Sequence, residues 1–152
     1  MTVQRKMTVQ RNLINPVKNG KVRNSDKWGK GHYGASRGSR AHNGLDIEAQ
    51  HKQDIASPID GTVVRKPYPY ADDTRYTGVF LEGTAKYKGY SIKIFYVNPS
   101  SGIIGKTVQA GDKIGEAQDL TNKYPGITNH VHIEVKIGSK YEDPGKLIKP
   151  TP

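Results

Sequence analysis

A chain of 152 residues with a net charge of +10, 34% hydrophobic residues, 17 glycines, 9 prolines and no cysteine is expected to form a single domain of modest core. This composition excludes a disulfide framework and thiolate zinc ligands, so any metal must be held by histidine and carboxylate. No apolar run approaches the length of a membrane span or of a signal-peptide core, which leaves delivery outside the cytoplasm to a removed signal or another route.

The charge is unevenly placed. Residues 1–40 carry ten Lys and Arg against the single acid Asp26, whereas residues 41–152 carry fourteen against thirteen. The expected organisation is a basic, flexible arm over 1–30 followed by a domain over 31–150. Such an arm is either a solvated terminus or an attachment to a polyanion, whether nucleic acid or an anionic cell-surface polymer. Met-Thr-Val-Gln-Arg occurs at 1–5 and again at 7–11. A repeat this short builds no solenoid and reads as a duplicated or added start, outside the fold.

Along the chain, Asn15-Pro16 and Asn19-Gly20 signal turns, and a Gly-rich loop runs from Trp28 through Arg40 to His42. Short strands are predicted at Leu45–Glu48, Thr62–Val64, Gly78–Glu82 and Tyr90–Val97, with an irregular loop over Pro67–Thr77. Val108–Gly115 carries two turn glycines around an apolar pair, Tyr124-Pro125-Gly126 is a loop, and Asp143-Pro144-Gly145 is a final turn. Helical periodicity is not sustained anywhere. The fold class is therefore all-β and mainly antiparallel, a compact, barrel-like sheet domain with long loops and little helix.

The stretch Asn129-His130-Val131-His132-Ile133-Glu134-Val135 alternates and is rich in β-branched residues, so it reads as a strand with both imidazoles on one face. Two such histidines suit a metal site, one as ligand and one as proton carrier. In His42-Asn43-Gly44-Leu45-Asp46 the glycine argues for a bend entering a strand rather than a helical i,i+4 pair. Such a bend turns an imidazole and a carboxylate toward one point. Two nitrogens and one oxygen with an open fourth position is the pattern of a catalytic zinc site. Each short pattern alone is weak evidence. The competing reading is two unrelated surface histidine clusters.

His42-x-x-x-Asp46 and His130-x-His132 resemble, in order and spacing, the motifs of the lysostaphin-type (LytM-like) zinc endopeptidases, which cut peptide cross-links of bacterial peptidoglycan. The resemblance extends to Ile55–Val63, Val108–Gly115 and His130–Val135. It implies that His42, Asp46 and His132 bind Zn2+, that His130 is the catalytic base or its partner, and that the site of action is extracytoplasmic. Tyr33 is a further candidate, its phenol placed near the developing oxyanion. Where the family carries Tyr-x-His at the end of a central strand, this chain has Tyr96-Val97-Asn98-Pro99. Asn98 exchanges no proton near neutral pH; if the family histidine stabilises the oxyanion, its loss costs on the order of 2.7–4 kcal/mol. Tyr33–His42, Phe95–Pro99 and Tyr124–Glu134 are most similar to the leukocyte cell-derived chemotaxin branch, which keeps the zinc ligands and lacks that histidine.

The leading expectation is a monomeric zinc endopeptidase of the cell wall, with the basic arm on anionic wall polymer and no nucleic-acid partner. The alternative is a zinc-binding module that recognises wall, glycan or receptor ligands without hydrolysis. A lipoyl or phosphocarrier domain, suggested by Ser57–Gly61 and the glycines at 111 and 115, lacks the lysine hairpin or histidine context it would need. His32 and His51 match no motif position.

Overall fold

The computed structural model describes residues 12–23, 31, 36–37, 40–41 and 43–148. Two sheets share one core, and every strand pairing is antiparallel. The larger sheet has seven strands. Its path runs from β12 (Lys140–Glu142) through β11 (His130–Ile137), β7 (Tyr90–Phe95), β6 (Gly78–Gly83) and β5 (Gly61–Arg65) to β9 (Thr107–Val108). Strand β3 (Leu45–Glu48) lies beside the first half of β11. The smaller sheet has the order β4 (Asp54–Ala56), β10 (Lys113–Ala117), β8 (Val97–Pro99). A two-stranded ribbon joins β1 (Ser36–Arg37) to β2 (Arg40–Ala41). The all-β expectation holds, except that the large sheet ends at β9 and β12 without closing into a barrel.

Period-2 alternation places the core. Val131, Ile133 and Val135 on β11, Ile92 and Ile94 on β7, and Val79 and Leu81 on β6 are buried on one face. They meet Ile55 and Ile114 of the smaller sheet in the same cluster. Each fully buried side chain of this kind contributes about 1.5–3 kcal/mol. Among the described residues helix is confined to a 3-10 turn at Ala85–Tyr87 and to α1 (Pro144–Leu147). The expected turn at Asp143-Pro144-Gly145 becomes that one helical turn. Pro144 sits at its first position, and the Asp143 carboxylate accepts from Gly145 N at 2.8 Å, the preferred chemistry of a helix start.

Two placements bear on the site. Residues 12–23, expected within the arm, are built into the domain. Leu13 and Val17 are fully buried, Leu13 N donates to Leu147 O at 3.0 Å, and Val22 bridges Ile47. The strand expected over Tyr90–Val97 breaks at Tyr96, which has φ +69°. There the Thr77 carbonyl accepts from both Tyr96 N (2.7 Å) and Val97 N (3.1 Å). This doubled acceptor pulls the chain out of register and passes it from the large sheet to the small one.

Candidate active site

Three neighbouring strands bring the chemistry together. On β11 the side chains of His132 and Glu134 lie opposite the buried Val131, Ile133 and Val135. In the register His132 stands between Asp46 of β3 and Phe95 of β7. His132 Nδ1 is 2.9 Å from Asp46 Oδ1, and its Nε2 is 2.8 Å from Glu134 Oε2. Phe95 stacks on the imidazole, ring centroids 6.0 Å apart and 23° between planes. Burial alone would lower the pKa of His132, but the carboxylates of Asp46 and Glu134 outweigh it and push it up to about 9.

Gly44 explains the middle of the first motif. A Cβ there would lie 2.6 Å from His132 Nε2 and 2.6 Å from the Ile133 carbonyl oxygen. The absence of a side chain is what lets the backbone carry Asp46 under the imidazole.

Asp46 is buried and clamped from the other side. Arg23 Nη1 donates to its Oδ2 at 2.9 Å, and both side chains are only 3% exposed. Arg23 N also donates to the Asp46 carbonyl (2.9 Å), and Asp46 N donates to the Gly31 carbonyl (2.7 Å).

His130 is set by its neighbours. The side chain of Asn129 binds three backbone groups of two segments, Ala49 O, Gln118 O and Leu120 N, which fixes the start of β11. His130 Nδ1 lies 2.8 Å from Thr128 O; a carbonyl only accepts, so Nδ1 carries the proton. Its Nε2 is then the basic atom and stands 3.5 Å from Asp46 Oδ2. Burial lowers the pKa of His130, with Asp46 opposing.

Beyond His130 the cleft becomes aromatic. Tyr96 meets the His130 ring edge-on at 5.5 Å. Tyr70 Oη lies 2.8 Å from Tyr96 Oη and 2.7 Å from Tyr124 Oη. Burial pushes the Tyr96 phenol up to about 12 and raises Tyr70 further, so both keep their protons at neutral pH. The whole opening, about 360 Å³, runs from Arg23, Asp46 and His132 to Tyr70 and Tyr124.

The structure thus brings Asp46, His130 and His132 together. His42 and Tyr33, like His32, lie outside the described residues. Among the described residues no three His, Asp or Glu side chains gather as a metal-binding set; two of the three expected ligands meet, and their donor types fit zinc. Asn98 is not brought to them. It is exposed on β8 opposite Glu116 and lines another surface cleft with His51 and Arg75. Sequence reasoning missed Arg23, Glu134 and the tyrosine trio. Glu134 had a signal, being two residues after His132 on the same strand face.

An antiparallel sheet whose late strand carries two histidines to a carboxylate on a neighbouring strand is a lysostaphin-type peptidase fold. The solution structure of lysostaphin superimposes with a TM-score of 0.64 at 16% identity, over 89% of this chain and 53% of that one. A zinc containing peptidase from Vibrio cholerae superimposes at 0.61 with 20% identity, over 97% and 41%. This chain therefore spans about half, or less, of those two proteins. Residues 40–144 match the pattern of Peptidase family M23, and the chain belongs to that family. It is 31% identical over 124 residues to leukocyte cell-derived chemotaxin-2 of Mus musculus, covering 81% of this chain and 78% of the relative. It is 33% identical over 113 residues to a chemotaxin-2 homolog of Caenorhabditis elegans, covering 71% and 32%.

Proposed function

We propose that this chain is a zinc-dependent endopeptidase that cuts peptide cross-links of bacterial peptidoglycan outside the cytoplasm. The observation that carries the reading is the facing pair His132 Nδ1 and Asp46 Oδ1, 2.9 Å apart in an open cleft, with His130 Nε2 3.5 Å from the same carboxylate. His132 and Asp46 would hold the ion together with His42, which enters on the His42-x-x-x-Asp46 motif. When bound, zinc supplies Lewis acidity that polarises a carbonyl and makes water more acidic.

The chain's own groups account for the rest. His130 Nε2 takes a proton from water as the oxygen attacks the scissile carbonyl carbon. It then gives that proton to the amine nitrogen as the C–N bond breaks. The Nδ1–H bond to Thr128 O keeps Nε2 turned toward the cleft. The lowered pKa leaves His130 neutral, and so basic, at neutral pH. The three tyrosines, joined by two mutual bonds, line the cleft beside His130 and present hydroxyl groups to an oxygen of a bound peptide. The N-terminal basic residues would hold the enzyme near anionic wall polymers.

A second reading, a zinc-binding module that recognises wall, glycan or receptor ligands without hydrolysis, is supported by the cleft itself. Among the described residues it contains no histidine besides His130 and His132, and the chemotaxin relatives point the same way. Elemental analysis and hydrolysis on one purified sample separate the two. The enzyme binds one zinc per chain and cleaves sacculi, losing both in His132→Ala. The module binds zinc and releases nothing. Absence of zinc from the wild type contradicts both.

A further inference from the structure

The atoms that Asp46 and His132 turn toward each other are selected from behind. Each side chain has two possible donor atoms, and in each the far one is engaged by an oppositely charged neighbour. On His132 the far atom is Nε2, 2.8 Å from Glu134 Oε2. On Asp46 it is Oδ2, 2.9 Å from Arg23 Nη1. The near atoms, Nδ1 and Oδ1, are thereby left facing one point at 2.9 Å. A carboxylate only accepts, so in the metal-free protein both nitrogens of His132 carry protons, toward Asp46 and Glu134. Once the Nδ1 proton is given up, Glu134 keeps Nε2 protonated and leaves Nδ1 as the atom that would bind a cation.

The supports are anchored independently. Glu134 rides on β11 two residues beyond His132, so the pleat alone aligns it with the imidazole. Arg23 comes from the N-terminal segment, which is tied to β3 by Arg23 N to Asp46 O at 2.9 Å and by the Val22–Ile47 bridge. Gly31 packs closely on Arg23 and Asp46, and Gly44 on His132. A Cβ on Gly31 would meet Arg23 Cβ at 2.6 Å and Asp46 Cβ at 3.0 Å, so the missing side chain there lets the two residues pack against this backbone. Burial alone would not select a rotation; Arg23 on Asp46 Oδ2 and Glu134 on His132 Nε2 each favour the orientation observed.

We propose that Arg23 and Glu134 are positioning residues of the zinc site, Arg23 setting the rotation of the Asp46 carboxylate and Glu134 the tautomer and tilt of His132. The inference rests on the zinc reading above and adds two residues outside the family's His and Asp motifs. Arg23 also supplies a positive charge behind Asp46, which offsets the negative charge of Glu134 behind His132. The pair therefore orients the ligands with little change in net charge at the site.

The test is zinc affinity, measured by competition with a chromophoric chelator on the full chain, with circular dichroism confirming the fold. Glu134→Ala is expected to weaken zinc binding about 10–100-fold, the range for loss of a supporting partner of a ligating histidine. Glu134→Gln, which keeps an acceptor, is expected to lose less and carries the test if the alanine variant does not fold. Arg23→Lys keeps the charge but not the planar contact, and is expected to lose about tenfold. In the zinc-loaded wild type the His132 Nε2–H proton should be resolved by NMR and slow to exchange. In Glu134→Ala it should be lost to water, a readout that a merely structural role would not move. Wild type that binds zinc, with all three variants binding as tightly, overturns this proposal alone. Wild type that binds no zinc overturns it together with the reading on which it rests.

Discussion

Tyr70 and Tyr124, 54 positions apart, share a hydrogen bond of 2.7 Å that ties the loop after β5 to the loop before β11 across the cleft. The first loop is braced beneath. Asp73 accepts from Arg75 Nε and Nη2 at 2.9 and 2.8 Å and pairs with Lys123 at 3.2 Å, and Lys123 lies 4.7 Å above the Tyr70 ring. One wall of the site is thus held by a phenol that serves two neighbours at once. Tyr70→Phe removes both bonds while keeping the ring, at a cost of about 1–3 kcal/mol. Denaturant unfolding should show that loss with zinc uptake unchanged; wild-type stability would mean that the two loops are held by other contacts.

Gly44→Ala is expected to disturb the site more than its size suggests. The added methyl meets the His132 ring and the Ile133 carbonyl at 2.6 Å, and the carbonyl cannot yield without opening the β3–β11 pairing. A destabilisation of about 1–3 kcal/mol is expected, as for overpacking, accompanied by weaker zinc binding. Calorimetry and chelator competition on the same sample check both.

In the metal-free protein, His132 makes stability depend on pH. Its pKa is raised to about 9 from an ordinary 6.5, so its contribution is complete below pH 6.5 and is lost as pH rises through 9. The difference is on the order of 3 kcal/mol between the two limits. Unfolding in chelator should show stability falling across that window, and the fall should vanish in His132→Gln. An unchanged slope in the variant would assign the effect elsewhere.

Leu13→Ala tests whether the N-terminal segment belongs to the domain. Leu13 is 0% exposed and bridges Ile148, so truncation leaves a cavity costing about 2–5 kcal/mol. A terminal arm outside the fold would show no loss in Tm.

Asn98→His is expected to alter neither zinc content nor hydrolysis, because residue 98 lines a separate cleft with His51 and Arg75. Tyr96→Phe, by contrast, removes the bond to Tyr70 and is expected to change hydrolysis. Both follow from the same assay. Activity gained by Asn98→His would place the missing proton carrier at that position after all.

The parts of this fold legible in the sequence are those whose causes are local. β11 announced itself because Val131, Ile133 and Val135 alternate with His130, His132 and Glu134, and that alternation also supplied the two imidazoles. Asp46 was legible through the His42-x-x-x-Asp46 pattern, in which Gly44 argued for a bend entering a strand. The break at Tyr96 was not, since it is made by the Thr77 carbonyl 19 residues earlier, and nothing in Phe95-Tyr96-Val97 requires a positive φ. Arg23 was hidden for the same reason. Its partner lies 23 positions away and its neighbours read as a basic terminus. The tyrosine trio needed three segments to meet before any of its members had a role.

The most direct measurement is the release of new amino groups from purified sacculi of several wall chemistries by the zinc-loaded chain. The account predicts release by wild type, abolished by chelator and restored by zinc, and no release by His132→Ala. Wild type carrying one zinc per chain and releasing nothing from any of those walls would contradict it.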